Sequence, residues 1–113
     1  MERKVKQQMY KLHAEYCKAL ASPRRLEILD LLRSGELNLE TLRERMQIQR
    51  PALSQHLAVL KEKGFIDTEK TGRMVCCRIA RPKIMRACDI FREVMFEEIE
   101  EKRKFQKEFE RSK

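Results

Sequence analysis

No run of about 18 apolar residues occurs in this chain, so it has no segment able to cross a bilayer as a helix. Its opening segment, MERKVKQQMYK, likewise lacks the apolar stretch of a signal sequence. The expected location is cytoplasmic, with no membrane partner. Glycine and proline are scarce, three of each, and every one falls where a candidate element starts, turns or stops. Internal repeats and low-complexity linkers are absent too. At 113 residues there is room for a single domain and none for an elaborate enzyme cleft. The Cys-x-x-Cys spacing that thiol oxidoreductases place at a helix start is also missing. These absences point away from an enzyme. In a reducing compartment, the four cysteines are expected to be free thiols, metal ligands or redox sensors rather than disulfide partners.

What the chain has in excess is positive charge. Its net charge is +8 and it is 39% charged. The excess is uneven: residues 1–82 carry 17 Lys and Arg against 10 Asp and Glu, and residues 83–113 carry 9 against 8. Seven of the eight surplus charges therefore lie in the first part. A basic body suggests a polyanion as partner, and a near-neutral helical tail suggests a protein.

The periodicity supplies the elements. Val5, Met9, Leu12, Tyr16 and Leu20 share one face of a helix over 5–21, with Tyr10 and Cys17 beside it. Ser22 and Pro23 cap and open a second helix that turns Leu26, Ile28, Leu29 and Leu32 inward and stops at Gly35. Arg24 and Arg25 at its start read as solvated charge or as phosphate clamps, the former favoured because cations oppose the dipole there. Asn38 caps a short support helix bearing Leu39, Leu42 and Met46. Ile48 plugs a turn, and Pro51 opens the helix around which the chain is organised.

On that helix Leu53, Leu57 and Leu60 form a buried stripe. Arg50, Pro51, Ser54, Gln55, Ala58 and Lys61 lie on the other side. A small, hydrogen-bonding face of this kind can enter a DNA major groove, where Gln and Ser address base edges and Arg or Lys address guanine or phosphate. The plainer reading is an ordinary amphipathic surface helix. His56, on the flank of the Leu stripe, reads as a packed histidine.

Gly64 ends the helix, and FIDTEK-TGR-MVCCRI reads as a hairpin turning at Thr71-Gly72, with Lys70 and Arg73 at its tip. A basic hairpin directly after a groove-reading helix is the wing of a winged helix. Strand alternation puts Val75, Cys77 and Ile79 on the apolar face and Met74, Cys76 and Arg78 on the other. From Pro82 to about Glu110 runs one helix striped by Ile84, Cys88, Phe91, Met95 and Ile99, widened by Val94, Phe96 and Phe105. The fold expected is mainly α with a small β-hairpin: a winged helix-turn-helix over 1–113. Its terminal helices, about 5–21 and 83–110, carry stripes suited to a homodimer, and a two-fold dimer presents two reading helices to a palindrome. Packing of the last helix over its own core is the other use of that stripe.

With KALASPRRLEILDLL, PALSQHLAVLKEKGFI and the TGRMVCCRI hairpin in place, the sequence resembles the ArsR/SmtB family of dimeric winged-helix repressors. The resemblance implies DNA-reading positions at Arg50, Pro51, Ser54 and Gln55, a wing at Lys70 to Arg73, and release from a palindromic operator when an inducer binds. It does not carry over the family's sensors. The Cys-x-Cys site of the support helix falls on Asn38 and Glu40. The site of the last helix falls on Arg81, Lys83, Val94 and Glu97, and the sulfide-sensing cysteine of the second helix falls on Asp30. Neither metal arrangement retains enough ligands for zinc, so no metal cofactor is expected.

Cys17, Cys76, Cys77 and Cys88 remain as candidate sensor thiols for an oxidant or a thiophilic ion. Cys76 is placed first, because Arg78 and Arg73 favour a reactive thiolate beside them. Cys17, Cys77 and Cys88 lie on apolar faces, where a small buried hydrophobe is the simpler role. A non-specific basic DNA-coating protein is the alternative to a sequence-specific repressor.

Overall fold

The computed structural model describes residues 2–112 and divides into two compact units, one ending at Arg81 and the other beginning at Pro82. The first unit contains α1 (Arg3–Leu20), α2 (Pro23–Leu32), β1 (Leu37–Asn38), α3 (Leu39–Met46), α4 (Arg50–Glu62), β2 (Ile66–Thr71) and β3 (Met74–Ile79). The second is a single helix, α5 (Pro82–Arg111). No described helix is long and apolar enough to cross a membrane.

Local chemistry sets the boundaries. Ser22 Oγ accepts the Arg25 amide at 3.3 Å and Pro23 occupies the first turn of α2, where its missing N–H costs nothing. Asn38 Oδ1 accepts the Thr41 amide at 2.8 Å and starts α3. That helix stops at Gln47, which is left-handed at φ 50, with the Ile48 amide donating back to the Arg43 carbonyl at 3.3 Å. This wrap satisfies carbonyls the last turn would leave orphaned, and Ile48 is buried by it. The same wrap ends α4, where Gly64 takes φ 73 and the Phe65 amide donates to the Leu60 carbonyl at 3.0 Å.

The core of the first unit is made of Ile28, Leu29 and Leu32 from α2, Leu42 and Met46 from α3, Leu53, Leu57 and Leu60 from α4, and Phe65, Ile66 and Cys77 from the wing root. Each buried aliphatic side chain contributes about 1.5–3 kcal/mol relative to exposure. Helix α1 joins at its C-terminal end: Ala19 is buried, and the Tyr16 ring meets Phe65 edge-on at 5.2 Å. Glu15 and Lys63 add an ion pair at 3.4 Å between α1 and the end of α4.

Three expectations need correction. Leu26 is 42% exposed. The inward line of α2 through Ile28, Leu29 and Leu32 is continued toward the N-terminus by Arg25, at the i−3, i−4 and i−7 spacing, and Leu26 falls at its rim. Neither Arg24 nor Arg25 is merely solvated, since both make bonds that link elements. The hairpin turns at Gly72-Arg73, one residue later than expected. Thr71 pairs with Met74, and Gly72 takes the positive φ of 63 that the first residue of such a two-residue turn uses.

One element was not foreseen. Leu37 and Asn38 form β1, which pairs antiparallel with Cys77 and Cys76, so that β3 is the central strand of a three-stranded sheet in the order β1-β3-β2.

Helix α5 is described by itself. No residue in it is buried, and Phe91, Val94, Met95, Phe96, Ile99, Phe105 and Phe109 are all exposed large apolar side chains. Glu98 and Lys102 pair along it at 3.4 Å, in the favourable acid-first orientation.

Candidate nucleic-acid interface

The surface is built on α4, whose buried stripe of Leu53, Leu57 and Leu60 fixes the rotation of the helix on its scaffold. With that stripe inward, Arg50, Pro51, Ser54, Gln55, Ala58 and Lys61 are all exposed. Short side chains at Ser54 and Ala58 leave the helix slim along this line, so a base edge can approach the backbone closely. Arg50, at the N-terminal end of α4, and Arg73, at the wing tip, line one open cleft of about 270 Å³ together with Asn38, Leu39, Glu40, Met74 and Val75. The side chain of Lys70 is exposed on the wing. The wing thus brings a second cation to the end of α4 where Arg50 already stands.

Acidic charge at this end is occupied. Glu40 accepts from both Nε and an outer nitrogen of Arg43, and this bonding, helped by the nearby Arg50 charge, holds its carboxyl below the usual range. Glu40 is therefore a firm carboxylate whose charge is answered within α3. At the other end of α4, Lys61 Nζ donates to Thr68 Oγ1 of β2 at 2.9 Å. Lys61 is an exposed cation and at the same time a tie between helix and wing.

Scaffold contacts hold α4 from behind. Arg25 sends Nε to the Ala19 carbonyl at 2.6 Å and an outer nitrogen to the Lys18 carbonyl at 3.2 Å. Its other outer nitrogen lies 3.3 Å from His56 Nδ1. Arg24 reaches Glu27 at 2.8 Å and the Met46 carbonyl, in the last turn of α3, at 3.1 Å. Sequence reasoning missed both roles. The available signal was the position of Arg25 on the inward line of α2, where an arginine must find acceptors.

The cysteines do not converge. Cys76 and Cys77, adjacent on β3, face opposite sides of the sheet, and no group of three or more potential metal ligands exists among the described residues. Cys77 is fully buried, and burial pushes its thiol up, away from the reactive thiolate. Cys76 is half-buried on the central strand, opposite Glu69 on β2. Arg78, expected to activate Cys76, instead bonds Glu69 at 3.1 Å. Cys17 is the exposed thiol of the four, turned by about 100° on α1 from the packed ring of Tyr16. Cys88 on α5 is half-buried.

Comparison with known proteins agrees with this architecture. Residues 22–68 match the model of the bacterial regulatory protein, arsR family. A biofilm growth-associated repressor of Agrobacterium fabrum is 38% identical over 69 residues, which make up 61% of this chain and 59% of that protein. The chain therefore spans well under two thirds of that relative. An uncharacterised HTH-type transcriptional regulator of Mycobacterium tuberculosis, Rv0081, is 34% identical over 88 residues, 77% of each chain. Its crystal structure superposes with a TM-score of 0.77 at 30% identity, covering 83% of this chain and 95% of that one. A homodimeric winged helix-turn-helix DNA-binding domain from Mycobacterium bovis, Mb0332, also gives a TM-score of 0.77 at 30% identity, over 88% of this chain and 92% of that one. With a winged helix-turn-helix architecture and likenesses that run through most of its length, the chain belongs to the ArsR family of bacterial regulatory proteins.

Proposed function

We propose that this chain is a sequence-specific DNA-binding transcriptional regulator, acting inside the cell as a homodimeric repressor that an inducer releases from a palindromic operator. One observation carries the reading: Arg50, Ser54, Gln55 and Ala58 stand exposed in line on α4, and the wing delivers Arg73 to the same cleft as Arg50. In this reading Ser54 and Gln55 address base edges, while Arg50, Lys61, Lys70 and Arg73 hold phosphates and set the register. The dimer uses the terminal helices. Val5, Met9 and Leu12 are exposed on α1, as is the Phe91 stripe on α5, and apolar faces of this extent mark protein interfaces. The Mycobacterium bovis domain is itself homodimeric, which supports the same assembly here.

Measuring affinity for DNA from upstream of the chain's own coding region against a scrambled duplex, across a salt series, tests the proposal. A specific regulator prefers its site by about 10³-fold or more. Equal affinities with a steep salt dependence would instead identify a DNA-coating protein.

A further inference from the structure

His56 sits one position after Gln55 on α4 but points back into the scaffold, half-buried, and its bonded partner is Arg25 of α2. A guanidinium has only donors, so Nδ1 must be the bare acceptor nitrogen and the ring proton must reside on Nε2. The same guanidinium closes the C-terminal turn of α1 through the Ala19 and Lys18 carbonyls. One arginine therefore bolts three helices together, and the bolt depends on an unprotonated imidazole.

We infer that the Arg25–His56 contact is a proton-sensitive bolt on α4, so that acidification loosens the seating of α4 on the α1–α2 scaffold, while its leucine stripe stays packed, and weakens operator binding. The operator half of this rests on α4 being the DNA-reading helix. A proton taken from solvent onto Nδ1 replaces the acceptor lone pair with an N–H. The hydrogen bond is then lost, and two cations face each other at the former bonding distance. Arg25 and Arg24 are the charges acting on the ring, both from α2. On α1 the groups involved are the main-chain carbonyls that Arg25 already occupies, while Glu15 is engaged with Lys63. Among the described residues no carboxylate bonds the imidazole to stabilise its cation.

Burial, and then Arg25 and Arg24, hold the ring below its ordinary value. The sign follows. The neutral ring's contribution is complete above the ordinary imidazole value of about 6.5 and is lost as pH falls through the lowered folded-state value. For DNA the direction is diagnostic, because a cation gained on a DNA-facing helix would by itself tighten binding to a polyanion. The bolt gives the opposite result.

The experiment has two arms on the full chain. Ring NMR of His56, free of DNA, should show protonation below the ordinary imidazole range, moved upward in Arg25→Gln. In the second arm, affinity for the upstream duplex should fall by up to about tenfold per pH unit on acidification. It should stay flat in His56→Gln, which keeps an acceptor for Arg25 and cannot be protonated. A ring titration unmoved by Arg25→Gln overturns the bolt. So does wild-type binding that tightens or holds steady in acid, or an equal fall in His56→Gln. Absence of specific DNA binding at every pH would count against the operator reading, and the NMR arm would then decide the bolt alone.

Discussion

Lys61 Nζ and Thr68 Oγ1 meet at 2.9 Å, joining the last turn of α4 to the first half of the wing. The bond and the charge can be separated by substitution. Thr68→Val removes the bond and keeps the cation, whereas Lys61→Ala removes both. If Lys61 neutralises a phosphate, Lys61→Ala should lower the logarithmic salt slope of DNA binding by about 1 and Thr68→Val should leave it unchanged. A slope reduced equally by both would mean that Lys61 needs Thr68 to reach the backbone.

Ser54→Ala and Gln55→Ala should each weaken operator binding by about 1–3 kcal/mol and leave scrambled DNA nearly unaffected, since base-edge contacts vanish and phosphate contacts stay. Competition titrations with both duplexes measure the difference. Equal losses on the two would deny these residues a reading role.

Phe91, 66% exposed in the middle of the α5 stripe, is the position at which to test the dimer. Phe91→Glu should yield monomers in sedimentation and abolish specific binding, because a half-site alone is too weak. Sedimentation as an intact dimer would move the interface elsewhere.

The thiols should react in the order of their exposure. A limiting thiol reagent followed by peptide mass spectrometry should modify Cys17 first and the buried Cys77 last. If operator release by thiol reagents or arsenite survives in Cys76→Ser and fails in Cys17→Ser, the sensor lies on α1. Release abolished by Cys76→Ser restores the wing strand as the sensing element, and no release in the wild type makes all four thiols structural.

Asn38 both caps α3 and pairs with Cys76. Asn38→Ala should cost about 1 kcal/mol in denaturant unfolding, while Asn38→Asp, which retains a capping oxygen, should cost much less. Equal costs would place the value of Asn38 in the strand rather than the cap.

Most of the fold was legible because local rules wrote it. Helix period, the Ser22 and Asn38 caps, Pro23 and Pro51 in first turns, and the stop at Gly64 each act within a few residues. The candidate surface followed from the Leu53, Leu57 and Leu60 stripe, which fixes what must face outward. The turn at Gly72-Arg73 and the exposure of Leu26 were missed by one position on a local element, and the other failures share a cause, contact between distant parts of the chain. Strand β1 is two residues long, too short for a period, and exists only because Cys76 and Cys77 pair with it. Arg25 looked solvated because its acceptors, two α1 carbonyls and His56, come from other helices. Arg78 was read as a charge beside Cys76, and its bond to Glu69 went unseen because Glu69 comes from the partner strand β2.

The register of β1 has a mechanical consequence. Only Cys76 and Cys77 of β3 are held from both sides, whereas Val75 and Met74 pair with β2 alone. The wing is thus a cantilever clamped at its root and free along its outer half. Its tip, with Lys70 and Arg73, is braced by the β2–β3 ladder alone, so under the proposed function a load applied there by DNA would be taken up short of the clamp and would not reach α4.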